Sequence, residues 1–144
     1  MIIQAKKEDI LDVAQLAVLM WEDAILEELA EEMSEEIDCA DGVIFVAKEN
    51  GQTIGFAQWQ LRYDYVEGTE SSPVGYLEGI FVKEEFRKKG FAKELLKTCE
   101  EWAKEKGCKE FASDCELENH ESYKFHMSAG FKEANRVICF SKLI

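Results

Sequence analysis

Two acids and a basic, glycine-containing loop are the residues whose types and spacing could do chemistry. Glu78 lies in Tyr76–Val82, where apolar alternation predicts a strand with Glu78 on the face of Tyr76, Ile80 and Val82. A carboxylate among such neighbours is either an edge residue or a group held in a cleft. Gly79 beside it predicts a bulge or a close backbone approach. Asp114 ends a second apolar run, Cys108–Asp114, where an acid can serve as a strand-end cap. Between them Arg87, Lys88, Lys89, Gly90, Phe91, Ala92 and Lys93 read Arg-x-x-Gly-x-Ala and open a helix. A helix start presents unpaired N–H groups and a positive dipole end, so it attracts anions. Gly90 lets backbone approach a phosphate, and Ala92 keeps the first turn slim. The bland alternative is a basic loop before an ordinary amphipathic helix. Neither a Gly-Lys-Ser/Thr nor a Gly-x-Gly-x-x-Gly pattern is present, which argues against a triphosphate loop and a dinucleotide fold.

The elements that must position these groups follow from periodicity. Met1–Ala5 predicts a first strand. Glu8–Trp21 is apolar at helical spacing, and Glu22–Ala30 continues helical with dense acids. Ser34, followed by Glu35 and Glu36, predicts a cap opening another short helix before Gly42. Val43–Ala47 and Thr53–Arg62 read as strands joined through Asn50-Gly51, a hairpin signal. Phe91, Leu95, Leu96, Cys99, Trp102 and Ala103 form one helical stripe stopped by Gly107. Cys108–Asp114 then reads as a strand, Asn119–Ala129 as a helix and Val137–Lys142 as a final strand. Repeats, linkers and low-complexity segments are absent, so residues 1–144 read as one α/β domain.

Composition narrows the function classes. At 144 residues and 47% hydrophobic, the chain can bury a real core. No run approaches the ~20 apolar residues of a membrane span, and the N-terminus lacks a leader pattern, which together predict a cytoplasmic protein. Five cysteines without a Cys-x-x-Cys predict reduced thiols, all read as small core residues rather than nucleophiles or metal ligands. A net charge of −13 argues against nucleic acid and anionic membrane as partners. Between Lys7 and Lys48 there is no basic residue, while thirteen acids fall from Glu8 to Asp41. An acidic lobe beside a basic loop suits a cationic substrate meeting an anionic co-substrate, although most individual acids read as solvated surface.

Strand, Arg-x-x-Gly-x-Ala loop and helix resemble the acetyl-CoA-binding motif of the GCN5-related N-acetyltransferases. The surroundings are most similar to the aminoglycoside 6'-N-acetyltransferase branch. That likeness is carried by Arg62-Tyr63-Asp64-Tyr65-Val66, Ser71-Ser72-Pro73, Leu77-Glu78-Gly79-Ile80-Phe81-Val82, Ala112-Ser113-Asp114 and Gly130-Phe131. It implies a mixed, mostly antiparallel central sheet flanked by helices and splayed after Glu78–Lys83. Backbone groups of Ile80, Phe81 and Val82 would pair with pantetheine, and Arg87 through Lys93 would wrap the pyrophosphate. Asn119 matches a CoA-contacting asparagine, with an N-cap as its other role. Glu78 and Asp114 match acceptor-site acids, and Trp21 and Tyr65 match acceptor contacts; a core aromatic is the competing role for Trp21.

The implied chemistry is direct attack by an amine on the thioester in a ternary complex, which relies mainly on positioning. A backbone N–H near Val82 would stabilise the oxyanion. The amine must first lose a proton, since an alkylammonium titrates near pKa ~10, and a carboxylate can hold it and relay that proton. Two positions depart from the pattern. His126 stands where much of the superfamily has a tyrosine that protonates the thiolate, and Asn135 where close relatives have an acid. His126 is therefore either that acid or structural. The resemblance implies an aminoglycoside 6'-N-acetyltransferase using acetyl-CoA on a cationic drug, working as a homodimer. Acetylation of a polyamine or other small amine, and a CoA-sensing module without turnover, are the alternatives.

Overall fold

Asn50 and Gly51 take φ of 52° and 77°, left-handed at both positions, as a type I' turn requires. They join β2 (Gly42–Glu49) to β3 (Gln52–Arg62), the hairpin at the centre of the sheet. The computed structural model describes residues 1–144. The remaining strands are β1 (Ile2–Gln4), β4 (Val74–Val82) and β5 (Phe111–Ser113), in the order β1-β2-β3-β4-β5. The first four are antiparallel, and β5 joins β4 in parallel.

The helices are α1 (Ile10–Met20), α2 (Leu26–Glu36), α3 (Phe91–Glu105) and α4 (His120–Ser128). They cover both faces of the sheet. On one, Leu95, Leu96, Cys99 and Ala103 of α3 pack on Ala57, Trp59, Leu61 and Leu77. On the other, Val13, Ala14 and Ala17 of α1 and Met33 of α2 pack on Ile44, Val46 and Phe56. Asp9, almost wholly buried, accepts from the Lys6 N–H (2.9 Å) and pairs with Lys48, tying the entry to α1 to the end of β2.

A bulge in β4 decides where Glu78 points. Gln58 opposes Gly79 and Trp59 opposes Leu77, so Glu78 is the extra residue. The alternation predicted for Tyr76–Val82 therefore fails at that residue. Leu77, Ile80 and Val82 all pack toward α3, while Phe81 faces α1. Glu78 shares its face with Tyr76 but not with Ile80 and Val82, as one added residue reverses every side chain beyond it.

Other expectations are corrected. One helix, α2, spans Leu26–Glu36 with Ser34 inside it, so Ser34 caps nothing; a break at 21–25 separates α2 from α1. The strand expected over Cys108–Asp114 shortens to Phe111–Ser113. Cys99 and Cys108 are buried, but Cys39, Cys115 and Cys139 are exposed, so only two of the five are core residues. No ladder forms over Val137–Lys142, because no strand of the same chain lies beside it.

Gly79 leaves no room for a side chain. A Cβ there would lie 2.7 Å from Trp21 Cζ2 and 2.9 Å from Met20 Cε. Gly79→Ala should destabilise the fold by about 1–3 kcal/mol and shift the Trp21 fluorescence. An unchanged melting temperature would show that this contact does not hold Trp21.

Candidate functional site

The site begins where β4 and β5 part. Their parallel pairing runs from Gly75–Phe111 to Leu77–Ser113 and stops. β4 continues to Val82 with no neighbour on that side. The Lys83 N–H donates to Ile54 O (2.8 Å) across β3. By alternation Phe81 also faces β3, while Ile80 and Val82 turn their N–H and C=O groups to the open side. Of the three residues expected to pair, only Ile80 and Val82 thus lie on the free edge, where the Val82 carbonyl accepts from Arg87 Nε (2.8 Å), while the backbone of Phe81 is turned to β3.

The basic loop meets the same opening. Gly90 precedes α3 at φ 91°, and Lys88 also has a positive φ of 63°. Glu94 is the first residue of α3 whose N–H is paired within the turn, to Gly90 O (3.0 Å). The amides of Phe91, Ala92 and Lys93 are therefore the unpaired donors of the helix start, flanked by Lys88, Lys89 and Lys93. Nothing lies within 4 Å of a Cβ built on Gly90. An open, positively charged helix start of this kind fits a pyrophosphate.

On the α1–α2 side the acids converge in a cleft of about 560 Å³, lined among others by Trp21, Glu32, Glu35, Glu36, Gln58 and Glu78. Arg62 at the end of β3 reaches Glu78 with both ends of the guanidinium edge, Nη2 to Oε1 at 2.8 Å and to Oε2 at 3.1 Å, with Nε to Oε1 at 3.3 Å. The same guanidinium stacks 3.4 Å over the Tyr76 ring. Tyr76 in turn donates its hydroxyl to Asp114, so burial and that carboxylate push its phenol far up. Glu78, Arg62, Tyr76 and Asp114 thus form one chain of contacts, and both predicted acids belong to it.

Glu36 was not foreseen. Burial raises its carboxyl above the usual range, opposed by the hydrogen bond from Gln58 and reinforced by Glu78 and Glu32. Gln58 Nε2 donates to Oε2, while Oε1 is buried without a partner. Arg62 and Tyr76 were likewise missed as site groups. Periodicity could have placed Gln58, Gln60 and Arg62 on one face of β3, but not α2 above them.

His126 is held at both ring nitrogens. Nδ1–H donates to Ser122 O (2.7 Å), and Nε2 lies 2.7 Å from Ser113 Oγ. Phe125 and Phe131 meet its ring edge-on. Asn119 caps α4 by accepting from the Ser122 N–H (3.1 Å). Trp21 ends α1 half-buried, its ring edge against Phe56, and lines the cleft. Tyr65 is exposed on the β3–β4 loop. Asn135 is exposed beyond α4 and makes no hydrogen bond, so it is not gathered with the other site residues.

A sheet split beside an anion-binding helix start, with carboxylates across the split, defines an acyltransferase that joins an anionic carrier to a cationic acceptor. The chain belongs to the acetyltransferase (GNAT) family, whose profile matches residues 13–131, and acetyl-CoA is the co-substrate. It is 40% identical over 138 residues to an aminoglycoside N(6')-acetyltransferase type 1 of Stenotrophomonas maltophilia, covering 95% of this chain and 89% of that protein. It is 38% identical over 140 residues to the enzyme of the same name from Acinetobacter haemolyticus, covering 97% and 96%. The solved structure of AAC(6')-Iy in complex with the bisubstrate analogue CoA-S-monomethyl-acetylneamine superposes with a TM-score of 0.94 at 38% identity, covering 100% and 98%.

Gly90→Val should weaken acetyl-CoA binding by more than its backbone strain explains. Gly107 has a matching φ of 89° and the same open surroundings at the other end of α3. Both valine variants should lose about 1–2 kcal/mol of stability through the left-handed backbone. Only Gly90→Val should lose co-substrate affinity in calorimetry; equal affinity in both would remove the phosphate assignment.

Proposed function

We propose that this chain transfers acetyl from acetyl-CoA to the 6'-amine of aminoglycosides, conferring resistance, as one cytoplasmic domain that works as a homodimer. The observation that carries the reading is the cleft beside the open edge of β4, walled by Glu32, Glu35, Glu36 and Glu78. The names of the relatives agree with it. A polycation is the ligand such a wall favours, and the buried Oε1 of Glu36 gains a partner when an ammonium arrives.

The residues divide the work. The acetyl thioester supplies the electrophile. The amides of Phe91, Ala92 and Lys93, with Arg87, Lys88 and Lys89, hold the pyrophosphate end, and the outward groups of Ile80 and Val82 align the arm that bears the acetyl. Asn119 flanks the same region while capping α4. A Val82 N–H lies on the open side, where it can bind the developing oxyanion. Glu78, oriented by Arg62, holds the acceptor ammonium and accepts its proton, directly or through water. Asp114, fixed by Tyr76, binds the same sugar ring, with Trp21 and Tyr65 alongside. His126, engaged at both nitrogens, fixes α4 to β5 through Ser113, and the thiolate leaves without needing it.

Glu36 links drug binding to pH. Its folded pKa lies above the unfolded value near 4.5, so the folded chain holds that proton more tightly. The stabilisation is present below the unfolded value and lost as pH rises through the folded one. Glu36→Gln should therefore raise the melting temperature of the ligand-free protein at neutral pH and leave it nearly unchanged in acid. The same variant should weaken aminoglycoside binding at neutral pH, with the difference from wild type shrinking as pH falls. A variant with unaltered affinity at neutral pH would take Glu36 out of the acceptor site.

Acetyl transfer to aminoglycosides with and without a free 6'-amine, alongside spermidine, tests the assignment itself. Only drugs bearing that amine should turn over well, and Glu78→Gln or Asp114→Asn should lower kcat/KM on the order of 100-fold. Equal rates on drugs lacking the 6'-amine, or a preference for spermidine, would overturn it.

A further inference from the structure

A serine and a histidine meet between α4 and β5. His126 Nδ1 lies 2.7 Å from Ser122 O, which can only accept, so that nitrogen carries the proton of the neutral ring. Nε2 is then a bare lone pair, and Ser113 Oγ, 2.7 Å away, donates to it. The other acceptor near that hydroxyl, Leu77 O, is more distant at 3.4 Å. Phe125 and Phe131, edge-on to the imidazole, keep it from turning away. A hydroxyl bonded to a base whose far nitrogen is held by a third group is the arrangement of an activated nucleophile. Here a backbone carbonyl is the third group.

The pair stands at the apex of the split. Ser113 is the last residue of β5 to pair with β4, opposite Leu77, the neighbour of Glu78. Along β5, Phe111 packs toward α3 and Ala112 packs toward Val66, Val74 and Tyr76. Alternation therefore turns Ser113 toward α3 and Asp114 away from it, and Asp114 accordingly meets Tyr76. The acids thus lie on one face of the split, and Ser113 and His126 on the face of the anion-binding helix start. A thioester brought from that helix start to an amine at Glu78 arrives beside the Ser113 hydroxyl. Neither Ser113 nor His126 is sealed off, since both are only half-buried.

We propose that, when no acceptor is bound, Ser113 and His126 hydrolyse acetyl-CoA through an acetyl-serine. Ser113 Oγ attacks the thioester carbonyl and gives its proton to His126 Nε2. As the O–C bond forms the C–S bond breaks, and the imidazolium passes the proton to the departing thiolate. Water, deprotonated by the same nitrogen, then attacks the acetyl ester, and the proton returns to Ser113 Oγ as acetate leaves. The balance is acetyl-CoA and water to acetate and CoA. An oxygen ester is less reactive than a thioester, so the acetyl-serine accumulates. Transfer to an amine does not use the pair, because the amine attacks the thioester directly. The inference rests on the thioester lying at the split beside Glu78, but not on the identity of the acceptor.

The test incubates the full chain with acetyl-CoA and no acceptor, resolves released CoA by chromatography, and weighs acid-quenched protein by mass spectrometry. The wild type should release CoA in a burst and then turn over slowly, carrying an acetyl group that maps to Ser113. Ser113→Ala should lower the steady rate at least ~10-fold and abolish that label, with CoA affinity in calorimetry and melting temperature near wild type. His126→Gln should slow both the burst and the steady rate. Ser113→Cys, which keeps a nucleophile beside His126, should still take up the acetyl group. A wild type that binds CoA but carries no acetyl at Ser113, or an unchanged steady rate in Ser113→Ala, would overturn the proposal. Absence of CoA binding would remove the co-substrate site and the proposal with it.

Discussion

β4 pairs with β5 for three residues and then runs to Val82 with one row of backbone groups unmatched. Within a closed sheet those groups would bond to a neighbouring strand, and leaving them dry would cost roughly 1–3 kcal/mol each. Here they border the opening proposed for the co-substrate, whose amides would take the place of a strand. The other features of the site depend on that parting. It brings the N-terminus of α3 to the opening, and the bulge at Glu78 turns one carboxylate toward the cleft under α2. Were β5 to pair along the whole of β4, neither the free edge nor the anion-binding helix start would be accessible from a common space.

The acids would repel one another without Arg62. It is the cation contacting Glu78, and its stacking on Tyr76 couples the two acids that lie on different strands. A bidentate guanidinium fixes direction as well as charge, so Glu78 is held in a defined orientation before any acceptor arrives. Lysine could not replace it, since an ammonium neither forks across a carboxylate nor lies flat on a ring. Preorganisation of this kind suits a reaction with no protein nucleophile, where placement of the amine is most of the catalysis.

Much of this was legible in the sequence. Local signals worked where local chemistry decides. Asn50-Gly51 forced the hairpin, Gly90 sat at the left-handed start of α3, and Asn119 capped α4. Gly79 signalled a bulge or a close approach; the bulge falls one residue earlier, at Glu78, and Trp21 packs on the glycine, although the consequence for the facing of Ile80 and Val82 was not drawn. Failures fell where tertiary packing decides. Glu36 looked like one more surface acid, since nothing in α2 reveals that Gln58 and Glu78 lie beneath it. Ser34 read as a cap because its neighbours suit one, yet the apolar stripe of Leu26, Leu29, Ala30, Met33 and Ile37 carries the helix straight through. Val137–Lys142 had the composition of a strand without a partner in its own chain.

That apolar stripe also explains how α2 survives its charge. Glu27, Glu28, Glu31, Glu32, Glu35 and Glu36 lie within eleven residues that contain no base, and the last turn has none to meet the helix dipole. Like-charged pairs four apart recur along it, from Glu27–Glu31 to Glu32–Glu36, each unfavourable by roughly 0.2–0.5 kcal/mol. Packing of Met33 and its neighbours on Ile44, Val46 and Phe56 outweighs that repulsion, at roughly 1.5–3 kcal/mol for each large side chain fully buried. Stability alone gives no reason to keep so many acids unopposed on a helix that roofs a cleft. The proposed polycationic acceptor does, since its ammonium groups would relieve the same repulsions. The helix is thus held by its buried face and left strained on its exposed one, part of which lines the cleft proposed for that acceptor.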